Sequence, residues 1–83
     1  MELNIIQERI ETRIKQSQVQ LSGDSYICEA QVISDEFKGL NLLARQRLVM
    51  ATVSDYLESG ELHALTIKTF TKEEWQQQLQ HGK

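Results

Sequence analysis

The segment GELHALTIKTFTKEEW, residues 60–75, places a strand pattern directly before a helix start. Thr71 stands where an N-cap is expected, and Glu74 follows three residues later, which is the spacing of a capping box. Phe70 and Trp75 occupy the two positions of a hydrophobic staple around that box. We therefore predict a last helix that begins right after a strand and lies against the sheet.

Two further patterns precede this segment. Residues 3–14 carry apolar side chains at three- and four-residue steps with charged residues between them, which predicts an amphipathic helix of roughly four turns. Residues 18–22 and 28–32 alternate between apolar and polar side chains, and the turn-forming sequence SGDS follows the first run. These two runs predict a β-hairpin.

The central segment, residues 41–58, again has helical spacing, and Gly60 supplies a stop signal. Two short helices with a bend near Arg47 would bury its wide apolar stripe better than one rod. Residues from His63 to about Thr69 predict the third strand. The order is α-β-β-α-α-β-α, an α+β fold with a three-stranded sheet and helices packed on one face.

Composition limits the class of protein. The chain has 83 residues, enough for one domain, 1–83, whose last residues, 79–83, we expect to form a frayed tail. Its net charge is −3, so it has no bulk attraction for nucleic acid. One cysteine excludes an internal disulfide, and no apolar run reaches membrane-spanning length. We expect a cytoplasmic protein without membrane contact.

Four stretches of the chain, VQLSGD, VISDEFKGLNLLARQRLV, LHALTIKTFT and KEEW, resemble the BolA-like family, and more closely its IbaG-type branch. The resemblance implies a class II KH-like fold, which agrees with the derived order, and no enzymatic activity. It also implies a monothiol glutaredoxin as partner, with which a [2Fe-2S] cluster is shared in iron–sulfur trafficking or stress response. The alternative it implies is a DNA-binding transcriptional regulator.

His63 matches the histidine that the family uses as a cluster ligand. Imidazole nitrogen suits iron, and a residue opening a strand lies at the sheet rim, where a partner can reach it. The alternative is a half-buried rim histidine bonded to backbone, since alternation puts it in phase with Leu65 and Ile67. The resemblance implies a cluster only in the complex with glutaredoxin and glutathione, and none in the isolated protein, which we expect to be a monomer or weak homodimer.

Cys28 is a second candidate ligand, because thiolates are the usual ligands of Fe–S iron. Its strand phase groups it with Ala30 and Val32, and lone cysteines are usually small buried hydrophobes. We therefore predict a core position. By register the family's second ligand falls near Ile27, and the loop residues 23–26 offer neither histidine nor cysteine. Either the register is shifted by one residue and Cys28 reaches the rim, or cluster sharing is weakened in this chain.

Lys38, Arg45, Arg47 and Lys68 form the only candidate basic patch for DNA. Residues two apart on a straight helix point about 200° from each other, so the two arginines need a bend to face one partner. The alternative is that these are ordinary solvated charges. Catalysis has little support, because His63 has no nucleophile or acid at a convincing spacing.

Overall fold

The computed structural model describes residues 1–81. Its elements are α1 (Leu3–Arg13), β1 (Gln18–Gly23), β2 (Cys28–Ile33), one 3-10 turn (Asp35–Phe37), α2 (Leu42–Thr52), α3 (Ser54–Ser59), β3 (Leu65–Phe70) and α4 (Lys72–His81). This order confirms the predicted α-β-β-α-α-β-α fold. No helix in residues 1–81 combines the length and apolar character needed to cross a membrane.

The sheet is mixed, with strand order β1-β2-β3. β1 pairs antiparallel with β2 through the predicted hairpin, and β2 pairs parallel with β3. β2 is therefore the central strand, and β1 and β3 are the two edges. Its alternate residues Cys28, Ala30 and Val32 are buried on one face.

The core lies between that face and helices α1 and α2. It consists of the apolar residues Ile6, Ile10, Ile14, Val19, Cys28, Ala30, Val32, Phe37, Val49, Val53, Leu62 and Ile67. The isoleucines of α1 recur at one-turn spacing, so a single helix face supplies them and its charged residues remain in water. Burial of this apolar surface is the main stabilising term for such a small domain.

The opposite face of the sheet is polar, with Gln18 and Gln20 exposed on β1. Trp75 of α4 reaches this side, where it borders a groove with Ile33 and the glutamines. The predicted staple forms, with the Phe70 and Trp75 ring centroids 5.2 Å apart.

The predicted capping box is also confirmed. The Glu74 N–H donates to Thr71 Oγ1 at 3.1 Å, and the Thr71 N–H donates to Glu74 Oε1 at 2.9 Å. Two donors at the start of α4 that would otherwise lack a partner are thereby satisfied.

The central segment does divide into two helices, but the bend is not near Arg47. α2 continues to Thr52, and the break falls at Val53, whose φ is −126° and ψ 16°. The Thr52 hydroxyl donates to the Val49 carbonyl at 2.7 Å, a back-bond that favours bending of the helix end. Gly60 ends α3 with a φ of 83°, as the stop signal predicted.

Two element boundaries differ from the sequence prediction. β3 starts at Leu65, so His63 lies in the loop before the strand and does not follow its alternation. α4 includes residues 79–81, which the sequence analysis assigned to a frayed tail. Residues 82–83 of that predicted tail lie outside the described residues.

Candidate functional site

His63 lies at the rim of the sheet, where the β1–β2 loop meets the start of β3. Its backbone N–H donates to the Ser25 carbonyl at 2.9 Å, and the Cys28 N–H donates to the Ala64 carbonyl at 3.1 Å. These two bonds tie the hairpin loop and the start of β2 to the segment before β3. The predicted rim position of His63 is therefore fixed from both sides, although the residue is outside the strand.

The His63 side chain is exposed, so it does not join the apolar face with Leu65 and Ile67. Within residues 1–81, no hydrogen bond involves either of its ring nitrogens. The alternative from the sequence was a half-buried histidine whose ring bonds to the backbone. The structure does not have this arrangement. The ring nitrogens are available to a ligand or a partner.

Tyr26 stacks on this imidazole. The two ring centroids are 4.3 Å apart, and the ring planes meet at 16°. Tyr26 itself is 65% exposed, and the next residue, Ile27, is 77% exposed. The rim, defined here as Tyr26, Ile27 and His63, is thus an open surface of two aromatic rings and one large aliphatic side chain.

The hairpin loop that carries Tyr26 and Ile27 is held by Asp24. Its Oδ1 accepts the Tyr26 N–H at 2.9 Å and the Ile27 N–H at 3.0 Å. These backbone donors, Ile27 first and then Tyr26, lower the pKa of the Asp24 carboxyl below its ordinary value. The carboxylate is therefore occupied in building the loop.

Gly23 allows the loop to close so tightly. Its φ is 90°, in the region that favours glycine, and a Cβ at this position would collide with the carbonyl oxygen of Ile27. The close approach of these two backbone segments sets the position of Ile27 on the rim.

Cys28 does not reach the rim. Its side chain is 1% exposed and belongs to the core, as its phase with Ala30 and Val32 predicted. Burial raises the pKa of the Cys28 thiol, which disfavours the thiolate that metal binding requires. The alternative register, in which Cys28 comes to the surface beside His63, does not occur.

The resemblance places a second cluster ligand near Ile27, a residue without a donor atom. In the part of the chain that the structure describes, no three His, Cys, Asp or Glu side chains are grouped so as to hold a metal ion. Among the described rim residues, His63 therefore presents an exposed imidazole, and neither Ile27 nor Cys28 adds a second donor beside it.

Arg45 is not free to form part of a basic patch. Its Nη1 and Nη2 donate to Glu74 Oε1 at 2.7 Å and Oε2 at 3.1 Å, and its Nε donates to the Leu40 carbonyl at 2.9 Å. The side chain is only 14% exposed. Arg45 joins α2 to the start of α4, so its guanidinium is already engaged within the fold.

The other three basic residues differ in their surroundings. Lys38 lies 3.7 Å from an Asp35 carboxylate oxygen, and Lys68 lies 2.9 Å from Glu29 on the polar sheet face. Arg47 is exposed and takes part in none of the ion pairs seen among residues 1–81. Since α2 is unbroken at this point, Arg45 and Arg47 face different ways and the predicted patch is not assembled around them.

Sequence reasoning missed two features of the site. Tyr26 plays no part in the sequence analysis, yet its ring covers one face of His63. Gln46 of α2 is the second, because its Nε2 donates to the Ile67 carbonyl on the outer edge of β3 at 2.8 Å. A tyrosine at a turn beside a strand is only a weak signal of a functional contact. No local sequence pattern predicts the Tyr26–His63 stack or the Gln46–Ile67 hydrogen bond.

Comparison with known proteins supports the resemblance. The family model described as "BolA-like protein" matches residues 2–74. The chain belongs to the BolA-like family. A BolA homologue from Coxiella burnetii has the same fold, with a TM-score of 0.82, 34% sequence identity, and coverage of 92% of this chain and 97% of that one.

Two named BolA-like relatives indicate what members of the family do. The acid stress protein IbaG of Escherichia coli is 28% identical over 75 residues, 90% of this chain and 89% of that protein. The DNA-binding transcriptional regulator BolA of Vibrio cholerae is 49% identical over 51 residues, 61% of this chain and 47% of that protein. The family therefore includes a stress protein and a regulator.

Proposed function

We propose that this BolA-like chain is a non-enzymatic module that binds a monothiol glutaredoxin and contributes His63 to a shared [2Fe-2S] cluster. The observation that supports the proposal is the exposed imidazole, whose ring nitrogens have no partner within residues 1–81. Iron–sulfur trafficking in a stress response would be the biological outcome, in keeping with the relative named as an acid stress protein.

Of the three rim residues, His63 alone has a donor atom suited to the iron of a [2Fe-2S] cluster. Imidazole is a known ligand of [2Fe-2S] iron, and its presence raises the reduction potential relative to all-thiolate ligation. Ile27 offers no donor atom and Cys28 is buried, so these two neighbours of His63 supply no further ligand, and we expect the remaining ligands to come from the partner. A glutaredoxin cysteine and glutathione supply thiolates of the required kind.

The same rim supports docking of a protein partner. Tyr26 and Ile27 expose large apolar surfaces beside His63, at 65% and 77% of their full areas. Aromatic and large aliphatic side chains around one polar group are typical of the buried centre of a protein–protein interface. A partner that covers them would exclude water from the cluster.

The experiment mixes the purified chain with a cluster-loaded monothiol glutaredoxin and records visible absorption and circular dichroism. We expect a new cluster spectrum with the wild-type chain and its loss with His63→Ala. His81→Ala is the matched control, because it removes the only other histidine and should leave the spectrum unchanged. A complex whose spectrum does not respond to His63→Ala would refute the ligand role.

A DNA-binding regulator is the second candidate, favoured by the relative that carries this name. Arg45 is engaged with Glu74, which leaves Arg47, Lys38 and Lys68 to contact phosphates. Affinity built on phosphate contacts falls steeply with added salt. A gel shift at low salt that is lost with Arg47→Ala would support this function, and the absence of any shift would exclude it.

A further inference from the structure

The β1 edge of the sheet has backbone groups without partners. On β2, the N–H of Cys28 donates to Ala64 and the N–H of Ser34 next to the strand donates to Phe70, so the even-numbered residues of β2 face β3. The odd-numbered residues 29, 31 and 33 therefore face β1, where they pair with residues 22, 20 and 18. It follows that Val19 and Leu21 direct their N–H and C=O groups away from the sheet.

The two edges of the sheet differ in protection. On the β3 edge, the Gln46 side chain donates to the outward carbonyl of Ile67 at 2.8 Å. Among the described residues, no hydrogen bond reaches the outward groups of Val19 or Leu21. Natural edge strands usually carry charges, proline or a bulge that block pairing with another chain, and QVQLSG carries no charge and no proline and stays in register with β2.

We propose that β1 pairs antiparallel with β1 of a second copy of this chain, about a two-fold axis at Gln20. Val19 of one copy then lies opposite Leu21 of the other. The two residues exchange both N–H···O=C bonds, and symmetry repeats the pair on the other side of the axis. The result is a continuous six-stranded sheet in which the four outward backbone groups of each copy are satisfied.

The side chains favour a second copy over an unrelated strand. At the axis the two Gln20 side chains lie in a non-hydrogen-bonded pair, the closest cross-strand arrangement. Gln20 Oε1 accepts from Gln31 Nε2 at 3.3 Å, so its second lone pair and its own amide N–H groups remain for the facing Gln20. Each of two facing glutamine amides can donate to the other and accept from it. A charged side chain on a different partner could only donate or only accept.

The flanking pairs have the same self-complementary character. Gln18 lies opposite Ser22 of the other copy on the polar face, so no like charges meet. On the other face, Val19 is buried and Leu21 is half-buried against the core. Pairing there brings the exposed part of Leu21 against the other copy's Val19, and the apolar layer continues across the junction.

The proposed junction is separate from the rim. The junction is centred on Gln20, along the outer edge of β1, whereas the rim lies beyond the ends of the strands, in the β1–β2 loop and the segment before β3. Each copy therefore keeps its own rim available for a partner. Failure of the glutaredoxin proposal leaves this one intact, and the reverse also holds.

The first test is sedimentation equilibrium of the full chain over a wide concentration range. We expect a monomer–dimer equilibrium that Gln20→Lys weakens roughly tenfold, because two like charges replace a reciprocal amide pair. Thr66→Lys, an added charge on the same face of the opposite edge strand, is the matched control and should leave the equilibrium unchanged. Mixing Gln20→Lys with Gln20→Glu should restore association as a heterodimer.

The second test follows the backbone directly. Amide hydrogen exchange of the wild-type chain should show Val19 and Leu21 becoming protected as concentration rises, while Gln20, already bonded to β2, is protected throughout. A monomer at every soluble concentration would overturn the proposal. Self-association that leaves both amides unprotected, or protection that requires a different protein, would overturn it equally.

Discussion

Tyr26 and His63 lie face to face, with ring centroids 4.3 Å apart and planes at 16°, although 36 intervening residues separate them in the chain. Backbone bonds hold the two loops that carry them, since the Ser25 carbonyl accepts the His63 N–H. The stack covers one face of the imidazole and leaves the ring edge, which carries the nitrogens, outside the stack. We infer that Tyr26 orients the one accessible histidine of this surface.

Replacing Tyr26 tests this orienting role. Tyr26→Ala should remove the ring-current shift on the His63 ring protons in NMR spectra, whereas Tyr26→Phe should keep it. The unfolding free energy should fall by less than about 1 kcal/mol with alanine, because the stack is exposed. In the mixture with cluster-loaded glutaredoxin, alanine should slow cluster uptake and phenylalanine should not. Equal His63 shifts in the wild type and Tyr26→Ala would contradict the stack in solution.

Gly23 should be the least replaceable glycine of the described chain. Gly23→Ala combines a left-handed φ with a collision against the Ile27 carbonyl, so we expect a loss of about 3 kcal/mol in unfolding free energy. Gly39→Ala is the matched control, because its φ is 78° and its Cβ would meet open space, and it should cost only about 1 kcal/mol. Urea denaturation of both variants measures the difference. Equal losses would mean that the hairpin closes less tightly than described.

Arg45 and Arg47 provide a matched pair on α2. Arg45→Ala should lower the unfolding free energy by about 2 kcal/mol, since it leaves the Leu40 carbonyl without this donor and the Glu74 carboxylate with the Thr71 N–H alone. Arg47→Ala should change it by less than about 0.5 kcal/mol, as is usual for exposed positions. Urea titrations at neutral pH measure both values. Similar effects of the two substitutions would refute the structural assignment of Arg45.

Glu74 should make stability depend on pH. Hydrogen bonds from Arg45, and next from the Thr71 N–H, hold the pKa of this carboxyl below its ordinary value. A carboxyl with a lowered folded pKa stabilises the protein above its unfolded pKa of about 4.3, and this contribution is lost as pH falls through the folded value. Glu74→Gln should therefore be less stable at neutral pH and lose less stability on acidification. Urea midpoints at neutral and acidic pH check this, and parallel losses in both proteins would count against it.

Local patterns were sufficient to predict most of the fold. The capping box of α4 was predicted correctly because Thr71 and Glu74 act on their own backbone donors within one turn. The helical stop at Gly60 is similarly local. The bend was predicted near Arg47 but falls at Val53. The Thr52 hydroxyl bonds back to the Val49 carbonyl and favours a bend there, and the spacing of apolar residues does not reveal this bond.

The site was only partly predictable, because distant segments build it. Alternation placed His63 on the core face, but its N–H bonds to Ser25 and the strand begins only at Leu65. The role of Arg45 likewise depends on Glu74, 29 residues later in the chain. Pairs of this kind arise when the elements pack together, and a single sequence carries no sign of them.

Ile27 offers the sharpest test of the proposed cluster. It stands near the position at which the resemblance implies a second ligand, and it is 77% exposed. Asp24 fixes the loop around it by accepting the N–H groups of Tyr26 and Ile27. Ile27→His should leave the fold unchanged, since an exposed aliphatic side chain contributes little to packing. If His63 binds the cluster in the complex, a second imidazole beside it should slow loss of the cluster to a chelator severalfold.

Leu42→His is the matched control for that experiment, because it adds the same side chain at a position 68% exposed on α2, away from the hairpin. We expect no change in the rate of cluster loss with this variant, measured by visible absorption after addition of the chelator. The double variant Ile27→His with His63→Ala separates two explanations. Full stabilisation without His63 would mean that the added imidazole replaces it, whereas no stabilisation would mean that the two bind together. If Ile27→His alone has no effect, the cluster does not approach position 27. His63 would then have to bind the cluster without a second ligand from that position.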